Sequence, residues 1–172
     1  MVTQGKDIDD VIRNKSEVAK GLQKNGKFII PKNKIVTEKL KKEIKKHAST
    51  VEFLYFGEDD KCNAQLLQKE FTNFGWNLKA RIEDKIIDYH IPMIEDYSPL
   101  STLPILLSAY HCGVDLKKIV TRYDSYKQYK TSGGYYKLQY KDKNFYLYNQ
   151  SVIGVTAGFK STLELMSKLT FG

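Results

Sequence analysis

The sequence predicts an α/β protein: a parallel sheet with flanking helices and an antiparallel hairpin, followed by a small α+β unit. Three observations carry that prediction. Up to Gly57 the chain alternates between helix-period and strand-period segments, the order that builds βαβ units around a parallel sheet. From Trp76 to Ile91 apolar residues fall at every second position on either side of Glu83-Asp84-Lys85, which reads as an antiparallel hairpin with one wet face. From Asp88 to Val114 a strand pattern passes through the polar turn Glu95-Asp96-Tyr97-Ser98-Pro99 into the most apolar run of the protein, Leu100 to Cys112. That stretch is the hinge between what precedes it and a second unit of different composition.

Taken in order, Met1 to Gly5 reads as the end of a strand running into a turn. Asp7 is placed to cap a helix reaching about Leu22, with Ile8, Val11, Ile12, Val18, Ala19 and Leu22 on one stripe. Gly21 and Asn25-Gly26 end it, and Lys27 to Ile30 is a short buried-type strand stopped by Pro31. Thr37 is placed to cap a second helix bearing Leu40, Ile44, His47 and Ala48 on one face, and Val51 to Phe56 is the next strand. Asn63 to Phe71, with Leu66, Leu67 and Phe71, reads as a short helix. After the hairpin comes a helix from about Ser101 to Cys112, then one capped by Asp115. A second hairpin, Tyr135 to Tyr140 with Phe145 to Tyr148, turns about Asp142-Lys143-Asn144, and a helix from Phe159 to Leu169 closes the chain. The composition changes near Lys127 to Gly134, so the expected units are 1–126 and 127–172.

Composition bounds the function. The 172 residues are 41% hydrophobic and 28% charged, which is globular rather than disordered. No apolar run approaches the roughly 18 to 20 residues of a membrane span, and no signal-peptide pattern opens the chain. Cys62 and Cys112 form no metal-type spacing, so a reduced, cytoplasmic protein without a membrane partner is expected. The net charge of +8 is compatible with a polyanionic partner. Lys dominates over Arg, however, and specific phosphate or base-edge contacts favour Arg, so a solvated Lys-rich surface is the leading account of it.

The candidate chemistry is thin. Gly21 to Lys27 matches G-x-x-x-x-G-K, but Phe28 stands where the motif needs a hydroxyl, and a helix precedes where a strand should. It reads as a helix stop. His47, His90 and His111 have no partner at a metal-ligand interval, and His111 fits packing at a helix end. Ser101, Ser108 and Ser132 lack a nucleophile elbow. Asp9-Asp10, Asp59-Asp60 and Glu95-Asp96 lie at helix starts or turns, where carboxylates are favoured without any metal. Gly57 to Asp60 is a strand-end turn of the kind that faces ligand in α/β sheets. No catalytic or metal residue is assigned. The basic, Tyr-rich stretch around Tyr136, Lys137, Tyr140 and Tyr146 has the make-up of a single-stranded nucleic-acid surface, but no specific motif accompanies it and ordinary β packing is the leading account.

Taken together, the order of elements resembles the Mur ligases, ATP-dependent enzymes that form the amide bonds of peptidoglycan precursors. Met1 to Gly5 is similar to the family's V-T-N-x-G turn, and Ile12 to Val18 to its I-A-x-x-K-A-E-I helix. Val51 to Gly57 falls where the family's strand ends in F-G. The Asp88–Val114 stretch corresponds to G-x-H-N-x-x-N-A-x-A-A-x-A-x-x-x-G-V, and Thr156 to Lys160 to an N-P-A-G-F-N turn. The resemblance begins in the middle of the central ATPase domain and reaches the start of the C-terminal one.

The resemblance places the adenine-contacting asparagines at Ser98 and Ser101 and the G-R after the hinge at Gly133-Gly134. Nucleotide contacts are therefore expected at Ser98, Ser101 and Gly133, all substituted or without the family's arginine. Tyr148-Asn149 is alternatively similar to the D-S-Y-N-A-N-P turn of another branch, with Leu147 where its acidic residue is expected, and the family's P-loop, metal-binding carboxylate and lysine would precede residue 1. Intact relatives are expected to use ATP and Mg²⁺. This chain alone is expected to bind no cofactor and not to be a competent ligase, because phosphoryl transfer needs a phosphate cradle, a metal and charge stabilisation. It is expected to be a fragment or a degenerate relative of an acid–amino-acid ligase, with the missing remainder of such a ligase as partner. The alternative is a non-catalytic interaction or nucleic-acid-binding domain that uses the Tyr-rich hairpin.

Overall fold

The computed structural model describes residues 7–33, 35–72, 75–123, 125, 134–149, 160, 163–164 and 166–167. Met1 to Gly5, Gly133, Thr156 to Phe159 and the boundary expected at 126/127 lie outside the described residues. One five-stranded sheet runs in the order β1 (Lys27–Pro31), β2 (Glu52–Gly57), β3 (Ala64–Thr72), β4 (Gly75–Ile82), β5 (Lys85–Ile91). The pairs β1·β2 and β2·β3 are parallel, while β3·β4 and β4·β5 are antiparallel. The parallel βαβ part and the expected hairpin are thus one mixed sheet.

Two helices cover one face. α1 (Ile8–Ser16) continues into a 3-10 turn, Glu17–Gly21, and α2 (Val36–His47) crosses from β1 to β2. Ile12, Ala19, Ile30, Leu40 and Ile44 form the core between helices and sheet. The expected apolar stripe of α1 splits: Ile12 and Ala19 are buried, but Ile8, Val11 and Val18 are exposed. The switch to 3-10 geometry changes the turn from 3.6 to 3.0 residues, so positions beyond Ser16 leave the line extrapolated from the α-helix. Thr37 does not cap α2. The Asn33 Oδ1 accepts from the N–H groups of Ile35 and Val36 at 2.9 and 3.2 Å, while the Thr37 hydroxyl donates to the Pro31 carbonyl at 2.8 Å.

The other face carries α3 (Ser98–His111) and α4 (Leu116–Tyr123). Leu103, Leu106 and Leu107 of α3 are fully buried against Leu78, Ala80, Ile82 and Ile91. The α3 helix begins three residues before its expected start, because Pro99 fits the first turn, where its missing N–H would have no intrahelical partner. The clearest correction is Asn63–Phe71, which is no helix but strand β3. Ala64 and Leu66 point into the core, and a bulge between Leu66 and Gln68 breaks the alternation that would have revealed the strand. β3 is the junction of the fold, parallel to β2 at Phe56↔Ala64 and antiparallel to β4 along its length.

A separate hairpin pairs β6 (Gly134–Tyr140) with β7 (Lys143–Asn149). Its turn residues are Lys141 and Asp142, one position earlier than expected, and Lys141 takes the left-handed φ of 51°. Residues 160, 163, 164 and 166 are helical, as expected for the last element.

Candidate functional site

The end of β5 and the start of α3 form the shoulder on which two of the expected nucleotide contacts stand. From Ile91 the chain passes Pro92 and Met93, buries Ile94 and Glu95, and enters the helix at Ser98. The Ser98 N–H donates to the Glu95 carbonyl at 3.0 Å, and its hydroxyl donates to the Glu95 carboxylate at 3.2 Å. Ser98 is only 3% exposed, so its side chain faces inward and is occupied. One turn on, Ser101 is exposed, and its hydroxyl donates to the Tyr97 carbonyl at 3.0 Å. Tyr97 itself lies largely in solvent. Of the two serines, Ser101 is therefore the one a ligand could reach.

The shoulder is held from below by a buried polar pair. The Thr102 hydroxyl donates its proton to the Pro99 carbonyl at 2.7 Å, so at the 2.6 Å contact between Tyr89 and Thr102 the tyrosine is the donor. Burial is the main reason that the Tyr89 phenol is pushed up to about 12. Tyr123 of α4 stacks obliquely on Tyr89 with centroids 6.0 Å apart, and burial raises its phenol as well. A neutral Tyr89 thus ties β5 to α3 and α4 at the point where the helix begins.

At the opposite end of α3, His111 forms a clamp that helix-end packing alone did not foresee. Its Nε2 lies 2.9 Å from the Glu83 carboxylate, and its Nδ1 lies 3.3 Å from Lys27 Nζ. Glu83 sits in the β4–β5 turn at a left-handed φ of 51°, and Asn63 donates to both of its carboxylate oxygens. Beside it, the Tyr110 hydroxyl donates to Asp84 at 2.8 Å, holding that carboxyl below its ordinary range. The only sequence signal was the placing of Glu83 in a predicted turn and His111 at a predicted helix end.

The turn after β2 is internally satisfied. Asp59 accepts from the Lys61 N–H at 2.9 Å, and this bond is the main cause of its lowered pKa. Arg81 donates to the carbonyls of Asp60, Cys62 and Glu83 and to the Gln65 side chain. Cys62 is buried beneath it, and burial pushes its thiol up, away from the reactive thiolate. Gly21 to Lys27 runs from the 3-10 turn into β1, the order of a helix stop. Among the described residues no group of three or more His, Cys, Asp or Glu is placed to hold a metal ion, and no helix is long and apolar enough to cross a membrane.

These elements define an α/β domain in which a parallel pair continues into an antiparallel ribbon, with an apolar helix starting beyond the ribbon's last strand. The same architecture occurs in solved ligases. MurF from Acinetobacter baumannii superposes with a TM-score of 0.75 at 16% identity, over 95% of this chain and 34% of that one. Folylpolyglutamate synthase from Mycobacterium tuberculosis, complexed with ADP, gives 0.72 at 13% identity over 98% and 36%. MurF ligase from Thermotoga maritima, also in complex with ADP, gives 0.67 at 13% over 92% and 34%. The chain has the fold of part of these enzymes and spans about a third of their length. No family model matches it, and no curated protein matches it in sequence.

Proposed function

We propose that this chain is a piece or a degenerate relative of an ATP-dependent acid–amino-acid ligase of the Mur type, supplying the adenine side of the nucleotide site and not catalysing ligation alone. The observation that carries this reading is the fold itself, matched over 95% of the chain to one third of MurF. Two of the matching enzymes hold ADP. Ser101, exposed at the first turn of α3, is the adenine-side contact, while Ser98 shapes the turn through Glu95. The phosphate cradle and Mg²⁺ ligands belong to other parts of such a ligase, and the acid and amine are set there too.

The test is a titration of isotope-labelled protein with adenosine and, separately, with Mg²⁺-ATP, followed by amide chemical shifts. Adenosine at millimolar concentration is expected to move Tyr97 to Thr102, and Ser101→Asn to enlarge the shifts by restoring an amide that can pair with adenine. Mg²⁺-ATP is expected to bind no more tightly than adenosine. Shifts elsewhere only, or a large thermal stabilisation by Mg²⁺-ATP, would sink the proposal.

One observation favours a second reading, a non-catalytic interaction module. The hairpin leaves Leu138, Tyr140, Phe145 and Leu147 exposed, with Leu138↔Phe145 and Tyr136↔Leu147 as cross-strand pairs on one face. Labelled single-stranded oligonucleotides discriminate between the readings. Binding that weakens with salt and is lost in Tyr140→Ala favours a nucleic-acid role.

A further inference from the structure

We infer that His111 is a proton-operated latch: its neutral ring joins the start of β1 to the end of α3, and a proton on that ring hands Lys27 over to β2. Side chains from three elements meet at this point. The Lys27 ammonium of β1 lies 3.3 Å from His111 Nδ1, and the Glu83 carboxylate of the β4–β5 turn lies 2.9 Å from Nε2. The side chains of His111 and Glu83 are 23% and 25% exposed, so solvent screens their contact only in part. Both ring nitrogens are engaged, each by a group of opposite charge.

The partners fix where the ring's proton sits. An ammonium has three donors and no acceptor, so the Nδ1 that meets Lys27 is bare and accepts its hydrogen bond. The neutral imidazole then carries its single proton on Nε2, which donates to Glu83. In this form one ring relays β1 through α3 to the β4–β5 turn. Glu83 is held in position from the other side. Asn63 donates to both of its oxygens at 3.2 and 3.3 Å, and Asn63 Oδ1 in turn accepts from the Tyr55 N–H at 2.9 Å.

A second proton acts on the two sides of the ring in opposite ways. At Nδ1 it turns an acceptor into a donor and sets an imidazolium against an ammonium, so Lys27 loses its bond and is repelled. Lys27 already has another carboxylate in reach, Glu52 of β2 at 3.5 Å. At Nε2 the hydrogen bond to Glu83 gains full charge assistance and strengthens. The other neighbours keep their partners. His111 ends α3, where the helix dipole favours a cation. Tyr110 meets the ring edge-on at 5.5 Å, with its hydroxyl on Asp84 and Lys85 over its face at 5.3 Å. Glu83, Glu52, Asp84 and the helix end thus favour the proton, and Lys27 and Lys85 oppose it. Lys27 is the part that moves. Acid opens the link between α3 and β1 and tightens the link between α3 and the antiparallel ribbon.

Long-range proton–nitrogen NMR of the imidazole rings tests this on the whole chain, titrated from about pH 8.5 to about pH 5 at low salt. His111→Gln assigns the signals, separating them from those of His47 and His90. The expected result is the Nε2–H tautomer at high pH, with the Lys27 side-chain signals shifting at the same midpoint as the His111 ring. Lys27→Met removes the opposing ammonium and is expected to tighten proton binding at His111 roughly threefold or more, while Glu83→Gln weakens it by a similar factor. An Nδ1–H or mixed tautomer at high pH overturns the inference. So do Lys27 signals indifferent to the His111 titration, or a Lys27→Met variant that binds the proton no more tightly than the parent. The tautomer is read on the unaltered chain, so it decides the matter should a variant fail to fold. The inference does not rest on the ligase reading, and its failure leaves that reading untouched.

Discussion

Gly75 opens β4 at φ 137°, opposite the end of β5, and its replacement by alanine should be among the most damaging single changes in the sheet. An added Cβ would run into the Ile91 carbonyl oxygen and lie 3.0 Å from Pro92 Cα. These are backbone atoms, so no rotamer change makes room. The end of β5 must move, and with it the segment that delivers Ser98 to the start of α3. The positive φ alone costs about 1–2 kcal/mol for a residue with a Cβ. Forced separation of the Trp76↔Ile91 pair adds about 1–3 kcal/mol, as for overpacking in a core.

Gly113 supplies the control. It follows α3 at φ 72°, but its Cβ would meet nothing within 4 Å, so Gly113→Ala carries the backbone cost alone, about 1–2 kcal/mol. Urea unfolding at fixed temperature, analysed for midpoint and slope, should place Gly75→Ala about 2 kcal/mol below Gly113→Ala. The close approach of β4 to Ile91 as the reason for glycine is refuted if the two variants are equally stable. Chemical shifts of Tyr97 to Thr102 should also move in Gly75→Ala and stay in place in Gly113→Ala.

Three further outcomes follow from the geometry. The Tyr89 phenol rises from 10.0 to about 12 in the folded state, so the folded chain holds a proton that the unfolded chain releases. Stability is therefore complete below pH 10 and falls by about 2–3 kcal/mol as pH rises to 12; Tyr89→Phe should flatten that decline in alkaline urea titrations. Leu106→Ala empties a fully buried site between α3 and the sheet and should cost about 2–5 kcal/mol in the same assay, with a loss under 1 kcal/mol contradicting the core assignment. For the clamp at the far end of α3, a double-mutant cycle of His111→Ala and Glu83→Ala should give a coupling of about 0.5–1 kcal/mol that shrinks in high salt, because both groups remain partly exposed.

What was legible in the sequence, and what was not, divides along a physical line. Strict alternation revealed β4 and β5, and the order of periodic segments revealed the βαβ start, because each pattern reports one face of one element. β3 escaped because its bulge shifts register within a single strand, and local spacing then mimics a helix. Both serines lie at the start of α3, yet spacing could not say that one turns inward to Glu95 and the other outward. That depends on the Glu95–Ser98 turn, where Pro99 starts the helix early. Nor could hydrophobicity distinguish Ile12 from Val11, adjacent residues of one helix. Ile12 is buried in one core with Ile30, whereas Val11 is exposed. A sequence pattern records that a surface is apolar and says nothing of what covers it. In this fold that difference falls within α1, where Ile12 is buried in the core and Ile8 and Val11 are left exposed among the described residues.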